Sequence, residues 1–243
     1  MLYQDLPFLD RFAAARADGF TGVEYVGAYD VPVEDLRAAL DGSELALFNV
    51  PSGDWAAGER GIAALPDRVA EYRAGLPRAL EHARALSCPT VNVLAGRAPR
   101  GADRARLRAT LVDNLRATLE VFAGSGVQVV LEAVNDRDVP GFVVPTMADA
   151  DEVRREVGPE LGLQFDVYHA QVLRGDLLPT YQRYAEHVHH VQIADHPGRH
   201  EPGTGEIRYE FLLPALQAAG YSGWIGAEYV PSEAGTGWLK AFA

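Results

Sequence analysis

The chain has 243 residues, 48% hydrophobic and 23% charged, the composition of an ordinary globular protein with a sizeable core. Its 22 basic and 34 acidic residues give a net charge of −12, which argues against a nucleic-acid partner, because affinity for phosphate backbones comes from clustered Lys and Arg. The single cysteine, Cys88, allows no internal disulfide, no apolar run is long enough to span a bilayer, and the N-terminus MLYQDLPFLDRF carries no secretion signal; a soluble, cytoplasmic protein without a membrane partner is expected.

Apolar, β-branched runs alternate along the chain with amphipathic stretches. A helix is expected over 7–18, closed by Asp18-Gly19, then a strand over 22–26, a helix over 33–40 and a strand over 45–50. Next come a helix over 65–86, a strand over 90–94, a helix over 102–124 closed by Gly124-Ser125-Gly126, and a strand over 127–133. Helices over 146–157, 176–185 and 209–219 then alternate with strands over 162–165, 187–193 and 223–228. The irregular stretches 51–64 and 195–207 are long enough to be active-site loops.

Alternation of this kind points to a parallel sheet covered by helices, since parallel neighbours need crossover connections. No GxGxxG turn follows an early strand and no Walker sequence is present, so a dinucleotide or nucleotide site has no support. Seven strands and seven helices come close to a (β/α)8 TIM barrel formed as one domain over residues 1–243. One strand is missing. Only Met1 to Tyr3 precede the segment Asp5-Leu6-Pro7, so the barrel is expected with its first strand truncated. Two unpaired edges would then be open to a second copy, and a homo-oligomer becomes an expectation.

In such a barrel the chemistry sits at the C-terminal ends of the strands. Reading those ends gives Glu132 in VVLEAVN, Asp166 in LQFDVYH, Gln192 in HVQIAD and Glu228 in IGAEY, each polar among apolar neighbours. A single such carboxylate commonly caps a helix or joins an ion pair. Three aimed at one axis are costly to bury unless a cation joins them. Three carboxylates and an amide oxygen form a hard, oxygen-only set suited to Mg²⁺ or Mn²⁺.

Five of the seven histidines fall in HVHHVQIADHPGRH, residues 187–200. Strand alternation sends His187 and His189 to the outer face, with His189 packed against a helix, and sends His190 inward with Gln192. A zinc cluster is therefore not expected, and His190 reads as a satisfied core imidazole. In the following loop Arg199 is a fixed cation able to grip a substrate carboxylate bidentately. His169, three residues beyond Asp166, can donate to a substrate oxygen or hold a ligand.

The segments LEAVN, FDVYHAQ, HVQIADHPGRHEPGTGEI and GAEY resemble the hydroxypyruvate isomerase family, a branch of the xylose-isomerase-like TIM barrels. The likeness extends from PFLDRFAAARADGF through FNVPSGDW and NVLAGR to GWIGAEY, nearly the whole chain. The resemblance implies metal ligands Glu132, Asp166, Gln192 and Glu228, with Glu132 and Glu228 also serving as the acid/base pair. His169 and Arg199 match substrate-contacting positions of related sugar isomerases and epimerases. The implied reaction interconverts hydroxypyruvate and tartronate semialdehyde through a metal-stabilised enediolate. Family members begin with a strand of which only Met1-Leu2 corresponds here, so a start codon placed too late is one expectation.

Four rivals accompany this reading. A 2-oxotetronate isomerase would act on a four-carbon acid, a difference worth about 1–3 kcal/mol of pocket contact. A ketose epimerase is disfavoured by Gln192, and an apurinic endonuclease by the net charge. A non-catalytic sugar-acid binding barrel would lack turnover altogether.

Overall fold

The computed structural model describes residues 1–232 and 236–241. Seven parallel strands form one sheet in sequence order: β1 (Gly22–Tyr25), β2 (Glu44–Asn49), β3 (Thr90–Val93), β4 (Gln128–Glu132), β5 (Gly162–Asp166), β6 (Val188–Ile193) and β7 (Ile225–Ala227). Among the described residues the α-helices are α1 (Asp10–Ala17), α2 (Val33–Leu40), α3 (Val69–Ala85), α4 (Arg104–Phe122), α5 (Met147–Val157), α6 (Val167–Leu173), α7 (Leu177–Tyr184) and α8 (Tyr209–Ala218). This is a (β/α)8-like barrel, nearly closed around a seam between β1 and β7, which are hydrogen-bonded only to β2 and β6 among the named strands.

Each expected strand forms, with ends shifted by at most a few residues. Local chemistry explains the helix starts: Asp103 accepts the backbone N–H groups of Ala105 and Arg106 to begin α4, and Thr146 with Asp149 forms a reciprocal capping box on α5. Helix α6 was not expected. It follows β5 with no intervening loop, because Asp166 ends the strand and also caps the helix by accepting the His169 N–H at 3.0 Å. A seven-residue segment with no glycine or proline at its start carries too little periodicity to show itself.

Apolar strand residues such as Leu45, Val91, Leu131, Leu163 and Val191 belong to one hydrophobic cluster with helix residues including Leu36, Leu76, Leu111 and Leu212. The buried Cys88 joins this cluster. His189 departs from expectation: it is exposed rather than packed against a helix, and His187 lies in a short 3-10 turn before β6.

At the seam, side chains stand where a ladder would. Glu24 reaches across from β1 so closely to Gly226 of β7 that a Cβ there would collide with its carboxylate, and the Trp224 ring covers Gly22. A cavity of about 1130 Å³ runs from the seam into the barrel mouth. Over that mouth the loops after β2, β3 and β4 are knitted together by single bridges, Gly61 to Ala95 and Arg97 to Phe142. No helix among the described residues is long and apolar enough to cross a membrane.

Candidate active site and metal centre

The barrel interior is polar on strands that are apolar outside, a consequence of two-residue alternation. On one side Asn92 of β3 donates to Asn49 of β2 at 3.1 Å and to Glu132 of β4 at 2.7 Å. On the other, Gln164 of β5 donates to the Gln192 oxygen at 2.5 Å, and Gln192 in turn donates to Glu24 at 2.8 Å. His190 donates to the second Glu24 oxygen at 2.7 Å. The core-imidazole reading of His190 thus holds, with a partner on β1 that reading strand ends could not reveal.

Above this layer lies a buried cluster. Ligand atoms of Glu132, Asp166 and His169 fall within 4.8 Å of one another, an arrangement consistent with a divalent-metal site. The three come together because β4 and β5 are paired neighbours, with Glu132 opposite Gln164 and Asp166 two residues further along β5, and because α6 begins at once and places His169 one turn above Asp166. Glu228, just after β7, is ion-paired with Arg199, whose guanidinium also lies 3.5 Å from Asp166. Arg199 rests 5.1 Å from the centre of the Tyr168 ring and adopts a left-handed backbone (φ 57°), a strained conformation for a side chain of this size.

Electrostatics follow from this crowding. Burial pushes the Glu132 carboxyl well above the usual carboxylate range, and the nearby charges of Glu228 and Asp166 push it further. Burial also raises Asp166, against the opposing pull of Arg199. Burial works against the charged form of Arg199 too, but Glu228 and Asp166 outweigh it and keep the guanidinium charged. Three acidic groups converging against one Arg leave negative charge that a divalent cation would neutralise. The donor chemistry therefore fits a metal.

His169 is pushed down to about 3, chiefly by burial and then by the Arg199 charge, so its ring is neutral near pH 7. Its tautomer follows from its neighbours. The Asn135 oxygen accepts the Asp138 N–H at 2.8 Å, which aims the Asn135 amide group at the Asp138 carboxylate (3.1 Å) and at His169 Nδ1 (2.7 Å). Tyr168 donates to that carboxylate at 2.6 Å. Nδ1 thus accepts, and the proton sits on Nε2, 3.9 Å from Glu132 and 3.7 Å from Asp166. In this state His169 is a donor toward the cavity.

The Gln192 oxygen is engaged by Gln164 and its amide by Glu24, so it keeps one lone pair for another partner. The loop after β6 has its own organiser. Fully buried Asp195 accepts backbone N–H groups of His196, Gly203, Gly205 and Ile207, shaping the turn that delivers Arg199. Asn135, Asp195 and Glu24 were all missed at the sequence level. The signal for Asn135 was its place at the end of LEAVN, and for Glu24 the lone carboxylate in GVEY.

A family described as xylose isomerase-like TIM barrels matches residues 12–242. The chain is 46% identical to the 2-oxo-tetronate isomerase of Cupriavidus necator, an alignment covering 100% of this chain and 95% of the relative. It is 40% identical to the hydroxypyruvate isomerase of Escherichia coli, covering 100% and 96%. A crystal structure described as AP endonuclease, family 2, from Brucella melitensis has a TM-score of 0.94 at 37% identity, covering 99% of this chain and 95% of that one.

Proposed function

This chain belongs to the xylose isomerase-like TIM-barrel family, close to the hydroxypyruvate and 2-oxo-tetronate isomerases, and from that premise we propose that it interconverts hydroxypyruvate and tartronate semialdehyde, with Glu132 and Glu228 as the acid/base pair. The observation that carries the reading is the buried convergence of Glu132, Asp166 and His169 beside Arg199 and Glu228. A metal-assisted sugar-acid isomerase needs such a centre; a sugar-binding barrel does not.

Glu132, Asp166, Glu228 and the amide oxygen of Gln192 would hold a Mg²⁺ or Mn²⁺ ion. Such an ion supplies a Lewis acid that stabilises negative charge on the substrate's oxygens. The protein's residues do the rest. One glutamate takes a proton from the hydroxyl-bearing carbon of hydroxypyruvate, and the other delivers a proton to the neighbouring carbonyl carbon. The hydroxyl proton shifts between the two oxygens, so the reaction is redox-neutral and atom-balanced. Glu132 lines the cavity beside Asp166 and His169, where it is placed to carry a proton in mid-cycle. His169 Nε2–H donates to a reacting oxygen and Arg199 balances the developing charge. The one-domain form, a cytoplasmic setting and a homo-oligomeric state belong to the same proposal.

The 46% identity to the Cupriavidus necator enzyme favours a second reading, a four-carbon 2-oxo-tetronate substrate in the same site. A proton NMR time course with each acid, with Mg²⁺, with Mn²⁺ and with chelator, tests both. Conversion of neither acid by folded, metal-loaded protein would remove the isomerase assignment.

A further inference from the structure

An enzyme that acts on a sugar acid needs a cation for the carboxylate, and the cation must not already be neutralised. Arg199 does not meet that condition, because Glu228 and Asp166 both pair with it. Arg60 does. It lies on the loop after β2 and lines the same cavity as Glu132, His169 and Arg199. Among the described residues it makes no ion pair; its Nη1 donates to two backbone carbonyls, of Trp55 at 3.2 Å and of Glu59 at 2.7 Å. Those bonds leave Nε and Nη2, one edge of the guanidinium fork, for a ligand.

Arg60 is also held in place. Its guanidinium lies 4.0 Å from the centre of the Trp55 ring, which fixes the plane of the fork. The next residue, Gly61, bridges to Ala95 beyond β3 in a left-handed conformation (φ 102°), so close that an added Cβ would strike the Leu94 carbonyl. Glu59 receives the Asp54 N–H and pairs with Arg68, so the neighbouring carboxylate is committed elsewhere. Arg97 adds a second positive charge near Arg60. A cation with one free edge and no ion pair among the described residues makes a place for an anion.

We propose that Arg60, seated on Trp55, takes the carboxylate group of the substrate and so selects acids over neutral sugars, while Arg199 serves the reacting oxygens. This rests on the isomerase reading above. The substrate class is a short hydroxy acid with one free carboxylate next to the isomerising carbons.

The test is a pair of measurements on the full chain with Mn²⁺: kinetics on hydroxypyruvate, and calorimetric titration with tartronate as a non-reacting acid probe. Arg60→Met should raise KM about 30-fold with kcat changed less than threefold and weaken tartronate binding similarly, with Arg60→Lys intermediate. Arg199→Lys should instead lower kcat. Unchanged KM and tartronate affinity in a folded Arg60→Met variant would overturn the proposal, as would failure of wild-type protein to bind tartronate. If wild-type protein binds tartronate but turns over neither acid, the isomerase reading falls and the titration alone decides Arg60.

Discussion

Glu24 and His190 are 166 residues apart in the chain and share a 2.7 Å hydrogen bond inside the barrel, joining β1 to β6 across the open seam. Burial would raise Glu24, but the His190 contact and the Gln192 hydrogen bond together outweigh it and hold the carboxyl below its ordinary value of 4.5. Replacing Glu24 by Ala strands His190 and the Gln192 amide, at a cost of about 3 kcal/mol in denaturant unfolding at neutral pH. The folded value lies below the unfolded one, so this contribution is present above pH 4.5 and fades as pH falls through the depressed value. Wild type and Glu24→Ala should therefore converge in strong acid; a gap independent of pH would place the effect in packing.

Glu132 has the opposite sign. Its folded value is raised by burial and by neighbouring carboxylates, so its ionised form destabilises metal-free protein above that value. Glu132→Gln should raise the metal-free melting temperature at pH 8 by about 2 °C or more, the gain shrinking as pH falls through the raised folded value. The same variant should lose Mn²⁺ affinity in calorimetry and turnover in the NMR assay. A lower melting temperature at pH 8 would contradict the electrostatic picture.

Turnover should also collapse in Glu228→Gln, by about 100-fold or more in kcat, the range expected for a lost acid/base group. Circular dichroism should show an intact fold, because Glu228 follows the short edge strand β7 and is partly exposed. Near-normal kcat in the folded variant would remove Glu228 from the acid/base pair.

Asn135 should fix the His169 tautomer. In ¹⁵N NMR of metal-free wild type, Nδ1 should show an unprotonated shift and Nε2 a protonated one, both unchanged from pH 5 to 8, since burial keeps the ring neutral down to about 3. Asn135→Leu should leave the two nitrogens averaged and lower kcat about tenfold, with smaller effect on KM. A ring that titrates near 6.5 in wild type would refute the assignment.

Gly61 tests how firmly the Arg60 loop is held. Gly61→Ala places a Cβ against the Leu94 carbonyl at a left-handed position, which should cost about 1–3 kcal/mol of stability and raise KM for the acid substrate. Stability and KM both unchanged would mean that the bridge to Ala95 does not hold the loop.

Hydrophobic periodicity and glycine stops were enough to locate every strand and every α-helix but α6 among the described residues, because alternation and amphipathic spacing are local properties written in adjacent residues. The strand-end rule brought out Glu132 and Asp166, which the fold does bring together, since parallel strands of one barrel must end at the same rim. The (β/α)8-like architecture follows from the same order of elements. Helix α6 escaped because Asp166 hides its start inside a strand. The contacts that assign chemistry depended on tertiary closure. Glu24 meets His190 only when β1 curls round to β6, Arg199 meets Glu228 only across the loop that Asp195 shapes, and Asn135 meets His169 only above neighbouring strand ends. Each pair joins residues remote in the chain. Their charge and tautomer states are set by shared burial, which no local stretch of sequence encodes.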